Sequence, residues 1–238
     1  MELLHEDLVW CLRTLPGGLF KFLRERGPEI AMAGGYIRSR VCGEEPSDVD
    51  LFAPSKEAAE VGAFALAKAK EDVYQTDNAF TVRGYKLPVQ FIHRWTYARP
   101  EDIVPSFDFT IARAAVWHEG EQWKSVCDDR FYPDLAAKRL VYCSPVRNED
   151  AGGSVLRVLK FYRRGYRIPM DSLGAVMARL VNAVDLRKIQ GGLEITEEKQ
   201  WAEVLTDLLR EVDPNIDPTH SAHLPATGEP PESPNGGG

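Results

Sequence analysis

The spacing of apolar positions divides the chain into a front part with mixed helices and strands and a rear part that is helical. Apolar residues recur at helical spacing over residues 3–13 and 19–26, which are separated by a Pro-Gly-Gly breaker at residues 16–18. Residues 55–70 begin with Ser55, a favoured N-cap, and end with lysines, an order that matches the helix dipole. The pattern therefore predicts three helices in the front part.

Several short apolar runs have the composition of β-strands. The expected strands are residues 29–33, 48–52, 73–75, 80–82 and 89–92. Residues 100–104 predict a helical turn, and residues 107–117 predict a further buried strand or short helix. Because strands and helices interleave, we expect the α/β (α+β) fold class, with a small mixed β-sheet and flanking helices.

The rear part has helical spacing throughout. The expected helices are residues 154–163, 172–189 and 197–212. The last segment, residues 213–238, is rich in Pro, Gly, Ser and Asn and has little to bury, so we expect it to be disordered. The predicted organisation is a mixed domain at residues 1–145, an all-α domain at residues 146–212, and a tail.

Composition limits the class of protein. The chain has 238 residues, 44% of them hydrophobic, which suffices for a substantial core. No apolar run approaches the roughly 18 residues that span a bilayer, and the N-terminus lacks a basic leader. The 4 cysteines show no Cys-x-x-Cys spacing and predict reduced thiols. We therefore expect a soluble cytoplasmic protein with no membrane partner.

The formal net charge of -7 argues against broad electrostatic binding to nucleic acid. The positive charge is concentrated, however, between residues 138 and 167, where only Glu149 and Asp150 oppose a series of lysines and arginines. A local basic patch is therefore expected despite the acidic total.

The candidate chemistry lies at two neighbouring motifs. Asp48 and Asp50 are two positions apart in an apolar run, so we expect their side chains on one face of a strand. Such a carboxylate pair can hold a divalent cation. Upstream, Gly34 and Gly35 allow the backbone to approach a polyanion, and a short helix follows them. Either motif alone is common by chance, but their order along the chain indicates nucleotide chemistry.

This order resembles the signature of the DNA polymerase β-like nucleotidyltransferases, and most closely the head and neck of the tRNA CCA-adding and poly(A) polymerase branch. In that branch the pattern is Gly-Gly-x-x-Arg-Asp, a short helix, a glycine and Asp-x-Asp. The matching residues are Gly34, Gly35, Arg38, Gly43, Asp48 and Asp50. Ser39 stands where the family usually has Asp. The resemblance implies that residues 1–145 are a nucleotidyltransferase head and residues 146–212 a neck.

The resemblance also implies a catalytic role and a cofactor. Asp48 and Asp50 would be the catalytic carboxylates and the ligands of Mg²⁺, with Mn²⁺ as an alternative. Much of the superfamily has a third carboxylate on a neighbouring strand, and here Gln90 stands at that position. The chain then either works with the aspartate pair alone, as CCA-adding enzymes often do, or binds nucleotide without turning it over.

Further resemblances concern the nucleotide. Gly34, Gly35 and Arg38 would contact it through the first motif. A Phe-Asp-Phe-Thr-Ile segment, which contains Asp108 and Thr110, resembles the family's Arg-Asp-Phe-Thr-Ile motif at the nucleotide's sugar. The alternative is that Asp108 only caps a helix.

The third block is the segment Ser-Val-Leu-Arg-Val-Leu-Lys-Phe, which is similar to the helix that opens the family's neck. Its Arg157 and Lys160 would clamp the triphosphate, with a solvated helix face as the alternative. Beyond about residue 165 the likeness fades, and the family's Glu-Asp-x-x-Arg motif has only a weak counterpart at residues 185–188.

Three functions follow as hypotheses. The first is Mg²⁺-dependent transfer of a nucleoside monophosphate from an NTP substrate, with ATP as a candidate, to a hydroxyl of an RNA, an oligonucleotide, a protein or a small molecule. The second is a catalytically degenerate protein of the same fold that binds nucleotide or docks on a partner. The third is tRNA CCA addition with help from a partner subunit.

Overall fold

The structure, a computed structural model of the chain, describes residues 1–145 and 151–183. Its centre is a mixed β-sheet of seven strands. In chain order the strands are β1 (Ala31–Ala33), β2 (Val49–Phe52), β3 (Val73–Gln75), β4 (Ala79–Val82), β5 (Val89–Ile92), β6 (Ala114–Glu119) and β7 (Gln122–Cys127). Across the sheet their order is β3-β4-β5-β2-β1-β6-β7. Strands β2 and β5 run parallel, whereas the other neighbouring pairs run antiparallel.

Helices flank the sheet in the front part and make up the described rear part. The α-helices are α1 (His5–Arg13), α2 (Leu19–Arg26), α3 (Gly35–Val41), α4 (Lys56–Leu66), α5 (Phe131–Ala136), α6 (Ala151–Arg163) and α7 (Met170–Ala183). Short 3₁₀ helices lie at Lys70–Asp72, Pro100–Ser106 and Thr110–Ala112. The α4 helix begins as predicted, since the Ser55 hydroxyl accepts a hydrogen bond of 3.1 Å from the Ala58 amide. This mixed α/β architecture confirms the expected fold class.

The sheet topology brings the two candidate motifs to one edge. Strands β1 and β2 are antiparallel, with Met32 opposite Leu51, so the end of β1 and the start of β2 lie side by side. The Gly34-Gly35 turn follows β1, and the Asp48–Asp50 segment leads into β2. The motifs that are separated in sequence therefore meet in space because of strand direction.

The rear helices share a hydrophobic core with the sheet. Phe161 from α6 and Tyr166 from the following turn belong to the same buried cluster as Leu51 of β2 and Phe91 of β5. Removing these large side chains from water is the main favourable contribution to holding α6 against the sheet. Helix α6 is therefore packed against the sheet.

The structure adds two elements that the sequence pattern did not predict. Strand β7 carries few β-branched residues, and it is stabilised by a long antiparallel pairing with β6. Helix α5 is short and contains Pro133, so its propensity is weak. Residues 107–117, predicted as a strand or a short helix, contain both a 3₁₀ turn and the first part of β6. Asp48 lies just before β2 instead of inside the strand.

Some predictions fall on residues that the structure does not describe. These are the helix at 197–212, the end of the helix at 172–189, the weak motif at 185–188, the tail at 213–238 and the domain boundary at 145/146. No helix among the described residues is both long and apolar enough to cross a membrane.

Candidate active site

The turn after β1 is built for a close backbone approach. Gly34 has φ of +79°, a conformation that side-chain-bearing residues rarely adopt. Its amide donates a 2.9 Å hydrogen bond to the Ala114 carbonyl of β6, which anchors the turn to the sheet. A Cβ atom at this position would lie 2.9 Å from the ring of Phe107. Both the backbone angle and the contact therefore require glycine at residue 34.

The two candidate carboxylates stand at the start of β2 and are half-buried. Neither Asp48 nor Asp50 receives a hydrogen bond or ion pair from any residue in the described ranges. Asp50 stands opposite Gln90 of β5, and Gln90 stands opposite Thr81 of β4. The structure thus places the neutral Gln90 directly beside Asp50, at the position expected for a third carboxylate.

The electrostatics of Asp50 show a carboxylate that lacks stabilising donors. Burial, and then the negative charge of Asp48, raise the pKa of Asp50 to about 7. The positive charges of Lys160 and Arg38 act in the opposite direction and lower it, but by less. Lys160, an exposed residue of α6, therefore faces this edge of the sheet. A divalent cation between the two aspartates would relieve the cost that burial imposes on both charges.

Arg38 on α3 is a buried cation without a carboxylate partner in the described part of the chain. Its side chain is 7% exposed, and burial lowers the pKa of its guanidinium. One terminal nitrogen donates a 3.0 Å hydrogen bond to the Ser39 hydroxyl, and the Nε atom makes no hydrogen bond. Ser39, at the position where the tRNA CCA-adding branch usually has Asp, thus supplies Arg38 with a neutral acceptor instead of a negative charge.

Asp108 has a different environment, although it was predicted to contact the nucleotide. It is 2% exposed, and its Oδ2 atom accepts a 2.8 Å hydrogen bond from Ser154 and a 2.7 Å hydrogen bond from Arg157. Both donors belong to α6. The carboxylate of Asp108 therefore connects α6 to the segment that precedes the 3₁₀ helix at Thr110–Ala112, and Arg157 uses its Nε atom for this ion pair.

Thr110 also binds a carboxylate, that of Asp134 in α5. Its hydroxyl donates a 2.8 Å hydrogen bond to Asp134, whose side chain is fully buried. Arg130 adds two hydrogen bonds of 3.1 and 3.0 Å, and Arg139 adds one of 2.9 Å. Burial alone raises the pKa of Asp134, but these donors outweigh it and the pKa is lowered.

The sequence analysis did not single out Asp134. Arg130 stands four positions before it, so the helical spacing of this opposite charge was the signal that could have found it, whereas Arg139 lies beyond the end of α5. The candidate residues thus fall into two groups. Asp48, Asp50, Arg38 and Lys160 come together at the motif edge, next to Gly34-Gly35, whereas Asp108, Thr110 and Arg157 form bonds that hold α5 and α6 in place.

The donor set at the motif edge fits a hard divalent cation. In the described residues no group of three or more His, Cys, Asp or Glu side chains has a metal-binding arrangement. Mg²⁺, however, is commonly held by one or two carboxylates together with substrate phosphates. Two half-buried carboxylates without hydrogen-bond donors meet that requirement, and the neighbouring cations Arg38 and Lys160 suit the phosphates.

Solved structures show which known fold this chain is similar to. The Thermotoga maritima CCA-adding enzyme complexed with tRNA matches with a TM-score of 0.54 and 17% identity, covering 88% of this chain and 56% of that one. A CCA-adding enzyme in complex with ATP matches with a TM-score of 0.55 and 16% identity, covering 92% of this chain and 51% of that one. A complex of a CCA-adding enzyme with CTP matches with a TM-score of 0.52 and 16% identity, covering 91% of this chain and 51% of that one. The chain spans about half the length of these enzymes and has a nucleotidyltransferase-like fold.

The family follows from the sequence itself. The model of the family described as "Gad2: Gabija anti-defense 2 family protein" matches residues 5–138, more than half of the chain. The chain therefore belongs to the Gabija anti-defense 2 family. Comparison with curated proteins gave no match.

Proposed function

We propose that this chain is a Mg²⁺-dependent nucleotidyltransferase that transfers a nucleoside monophosphate from an NTP, with ATP as a candidate, to an acceptor hydroxyl. The observation that carries the proposal is the unpartnered pair Asp48 and Asp50 beside the buried cation Arg38. In the described residues the two aspartates and the arginine lie at one edge of the sheet, and they form no ion pair with one another. A nucleoside triphosphate with its metal ion supplies the complementary charges.

In the reaction, the acceptor oxygen forms a bond to the α-phosphorus, pyrophosphate leaves, and the acceptor proton passes to solvent or a base. When bound, Mg²⁺ (or Mn²⁺) supplies charge neutralisation for the attacking oxygen and the leaving pyrophosphate. Asp48 and Asp50 hold it. Arg38 and Lys160 bind the phosphates, and the glycine turn at Gly34 lets them approach the backbone.

Roles in nucleotide binding for Asp108, Thr110 and Arg157 remain predictions. Their described contacts support a positioning role: Asp108 fixes α6 through Ser154 and Arg157, and α6 carries Lys160 to the site. In this proposal the ion pair determines where the phosphate-binding helix lies, and Gly35 completes the turn that faces it.

The family supplies the biological context of the proposal. Because the family is described as Gabija anti-defense 2, we propose that the transfer acts against the Gabija defence system. Protein, RNA and oligonucleotide hydroxyls are all acceptors that a short nucleotidyltransferase head can serve. Full tRNA CCA addition is the weaker candidate, since the Glu-Asp-x-x-Arg motif of the CCA-adding branch has only a weak counterpart at residues 185–188.

A specific observation favours a second candidate, a nucleotide-binding protein that does not catalyse transfer. Gln90 stands opposite Asp50 on the parallel strand β5. A neutral side chain there removes one negative charge from the metal environment and weakens metal binding relative to a third carboxylate. Such a protein would keep the nucleotide site and act by docking.

The test is label transfer from each of the four α-³²P-labelled NTPs with Mg²⁺, offered RNA, the Gabija proteins and the chain itself as acceptors. We expect Asp48→Ala and Asp50→Ala to lower transfer by roughly 100-fold or more, as loss of a group that stabilises transition-state charge does. Asp77→Ala, at an exposed turn residue, is the matched control and should retain activity. NTP binding without any transfer by the wild type would instead support the binder, and ordered CTP and ATP incorporation would support CCA addition.

A further inference from the structure

We propose that Phe161 of α6 is a positioning residue that holds the Arg38 guanidinium at the nucleotide site. The inference rests on the proposed function, because it assigns to α6 the task of presenting this cation to the triphosphate. The carbon at the centre of the Arg38 guanidinium lies 4.7 Å from the centroid of the Phe161 ring. This distance is well within the range of a cation–π contact.

The ring substitutes for an acid. Arg38 is 7% exposed and Phe161 is 4% exposed, so the contact is almost completely removed from water. Within the described residues the polar contact of Arg38 is its hydrogen bond to the Ser39 hydroxyl, and its Nε atom makes none. A buried arginine normally has a carboxylate to fix it, but such an ion pair would have to be broken before phosphate could bind. An aromatic face fixes the cation and leaves its N–H groups for an anion.

A second arginine, Arg164, contacts the same ring and is fixed by an ion pair with Glu44. Arg164, which follows α6, lies 5.9 Å from the Phe161 centroid. Its positive charge repels that of Arg38 and lowers the pKa of the Arg38 guanidinium. Glu44, in the loop between α3 and β2, pairs with Arg164 at 3.7 Å. The Glu44 amide in turn donates a 2.8 Å hydrogen bond to the Ser39 carbonyl of α3. Glu44 therefore forms its ion pair with Arg164, whereas its charge acts on Arg38 without a direct ion pair.

One turn of α6 acts on two groups of the candidate site. Lys160 and Phe161 are adjacent residues of α6: one lowers the pKa of Asp50 and the other covers Arg38. Docking of this single helical turn therefore brings one cation to the site and fixes a second. Removal of the ring should release Arg38, because no carboxylate in the described ranges holds it there.

The first test measures NTP affinity at equilibrium, with catalysis prevented by Ca²⁺ in place of Mg²⁺. We expect Phe161→Leu to weaken NTP binding by roughly tenfold, the size expected for a desolvated cation–π contact. Phe161→Tyr, which keeps an aromatic ring, should bind NTP with the affinity of the wild type. Phe22→Leu is the matched control, since it removes a buried ring that contacts Phe91 instead of an arginine. In an Arg38→Met background, Phe161→Leu should have no further effect on affinity. Equal affinities of Phe161→Leu and Phe22→Leu, or additive effects in the double variant, would overturn the inference.

A second measurement needs no nucleotide. In ¹⁵N NMR spectra of the free protein, the Arg38 Nε–H should exchange slowly with water and should carry a ring-current shift. Phe161→Leu should remove the shift and speed the exchange, whereas Phe22→Leu should leave both unchanged. If the Arg38 signal is the same in Phe161→Leu and wild type, the inference is wrong. If that signal changes as expected but the wild type binds no NTP, the positioning contact stands and the proposed function fails.

Discussion

Two groups of carboxylates in this molecule differ in what surrounds them. Asp134 is fully buried and accepts hydrogen bonds from Thr110, Arg130 and Arg139, which outweigh the effect of burial and lower its pKa. Asp50 is half-buried and receives no hydrogen bond in the described part of the chain, and its pKa is raised to about 7. The same side chain is therefore saturated with donors in one place and left open in the other.

The difference separates structural charge from available charge. A carboxylate that already accepts hydrogen bonds from two arginines is poorly placed to bind a cation, and its removal leaves the buried Thr110 hydroxyl without its acceptor. A carboxylate pair without donors destabilises the free protein, and this cost is recovered only when a cation binds. The Arg38 guanidinium is the cationic counterpart of the open pair, because it is buried without an acid. Carboxylates without donors and an arginine without an ion pair thus lie together at the candidate site, unlike the carboxylate of Asp134.

The largest effect should come from Asp50→Asn. We expect nucleotidyl transfer to fall by roughly 1,000-fold, since the amide cannot provide the charge that the metal requires. The free energy of unfolding of the metal-free protein near neutral pH should be unchanged or higher, because a poorly stabilised buried charge is removed. Activity assays and urea denaturation measure the two quantities. A fall in the free energy of unfolding large enough to account for the lost activity would show that Asp50 is structural. The contrast between Asp50 and Asp134 would then fail.

Asp134→Ala should give the opposite result. Loss of this carboxylate leaves the buried Thr110 hydroxyl without its acceptor, and we expect the free energy of unfolding to fall by roughly 2 kcal/mol. The half-exposed Arg130 and Arg139 can turn to water and should add little to the loss. The thermal shift caused by Mg²⁺ with NTP, measured at a temperature where the variant is folded, should persist. If the variant is as stable as the wild type, the buried cluster does not hold α5, and the distinction between the two groups fails.

The smallest effect concerns acid stability. The pKa of Asp134 is lowered in the folded protein, so its contribution to stability is present above the unfolded-state pKa of about 4 and is lost as the pH falls through the folded value. Asp134→Asn should therefore show a shallower loss of stability than the wild type between about pH 5 and pH 2. Urea midpoints measured across this range, with Asp77→Asn as the exposed control, provide the comparison. Identical slopes in wild type and Asp134→Asn would contradict it.

Much of the fold could be predicted from local patterns. Helix α2 and strands β3 and β5 have the bounds that apolar spacing predicted, and Ser55 caps α4 as expected. The elements that were missed, β7 and α5, have weak intrinsic propensity. Long-range contacts stabilise both: β7 pairs with β6, and the side chain of Asp134 in α5 binds Thr110. A pattern within a short window contains no information about such partners.

By itself, the sequence determined the chemistry that can occur at the motif edge. Two adjacent glycines, an acidic pair two positions apart and an arginine four residues after the first glycine are local features, and their residue types fix the possible ligands. Tertiary structure alone decided which charges are open. Arg157 and Lys160 are three positions apart on one helix, yet Arg157 pairs with buried Asp108 while Lys160 acts on Asp50. The reason is that solvation and partners depend on which elements pack together, and the sheet and α6 bring them from distant parts of the chain.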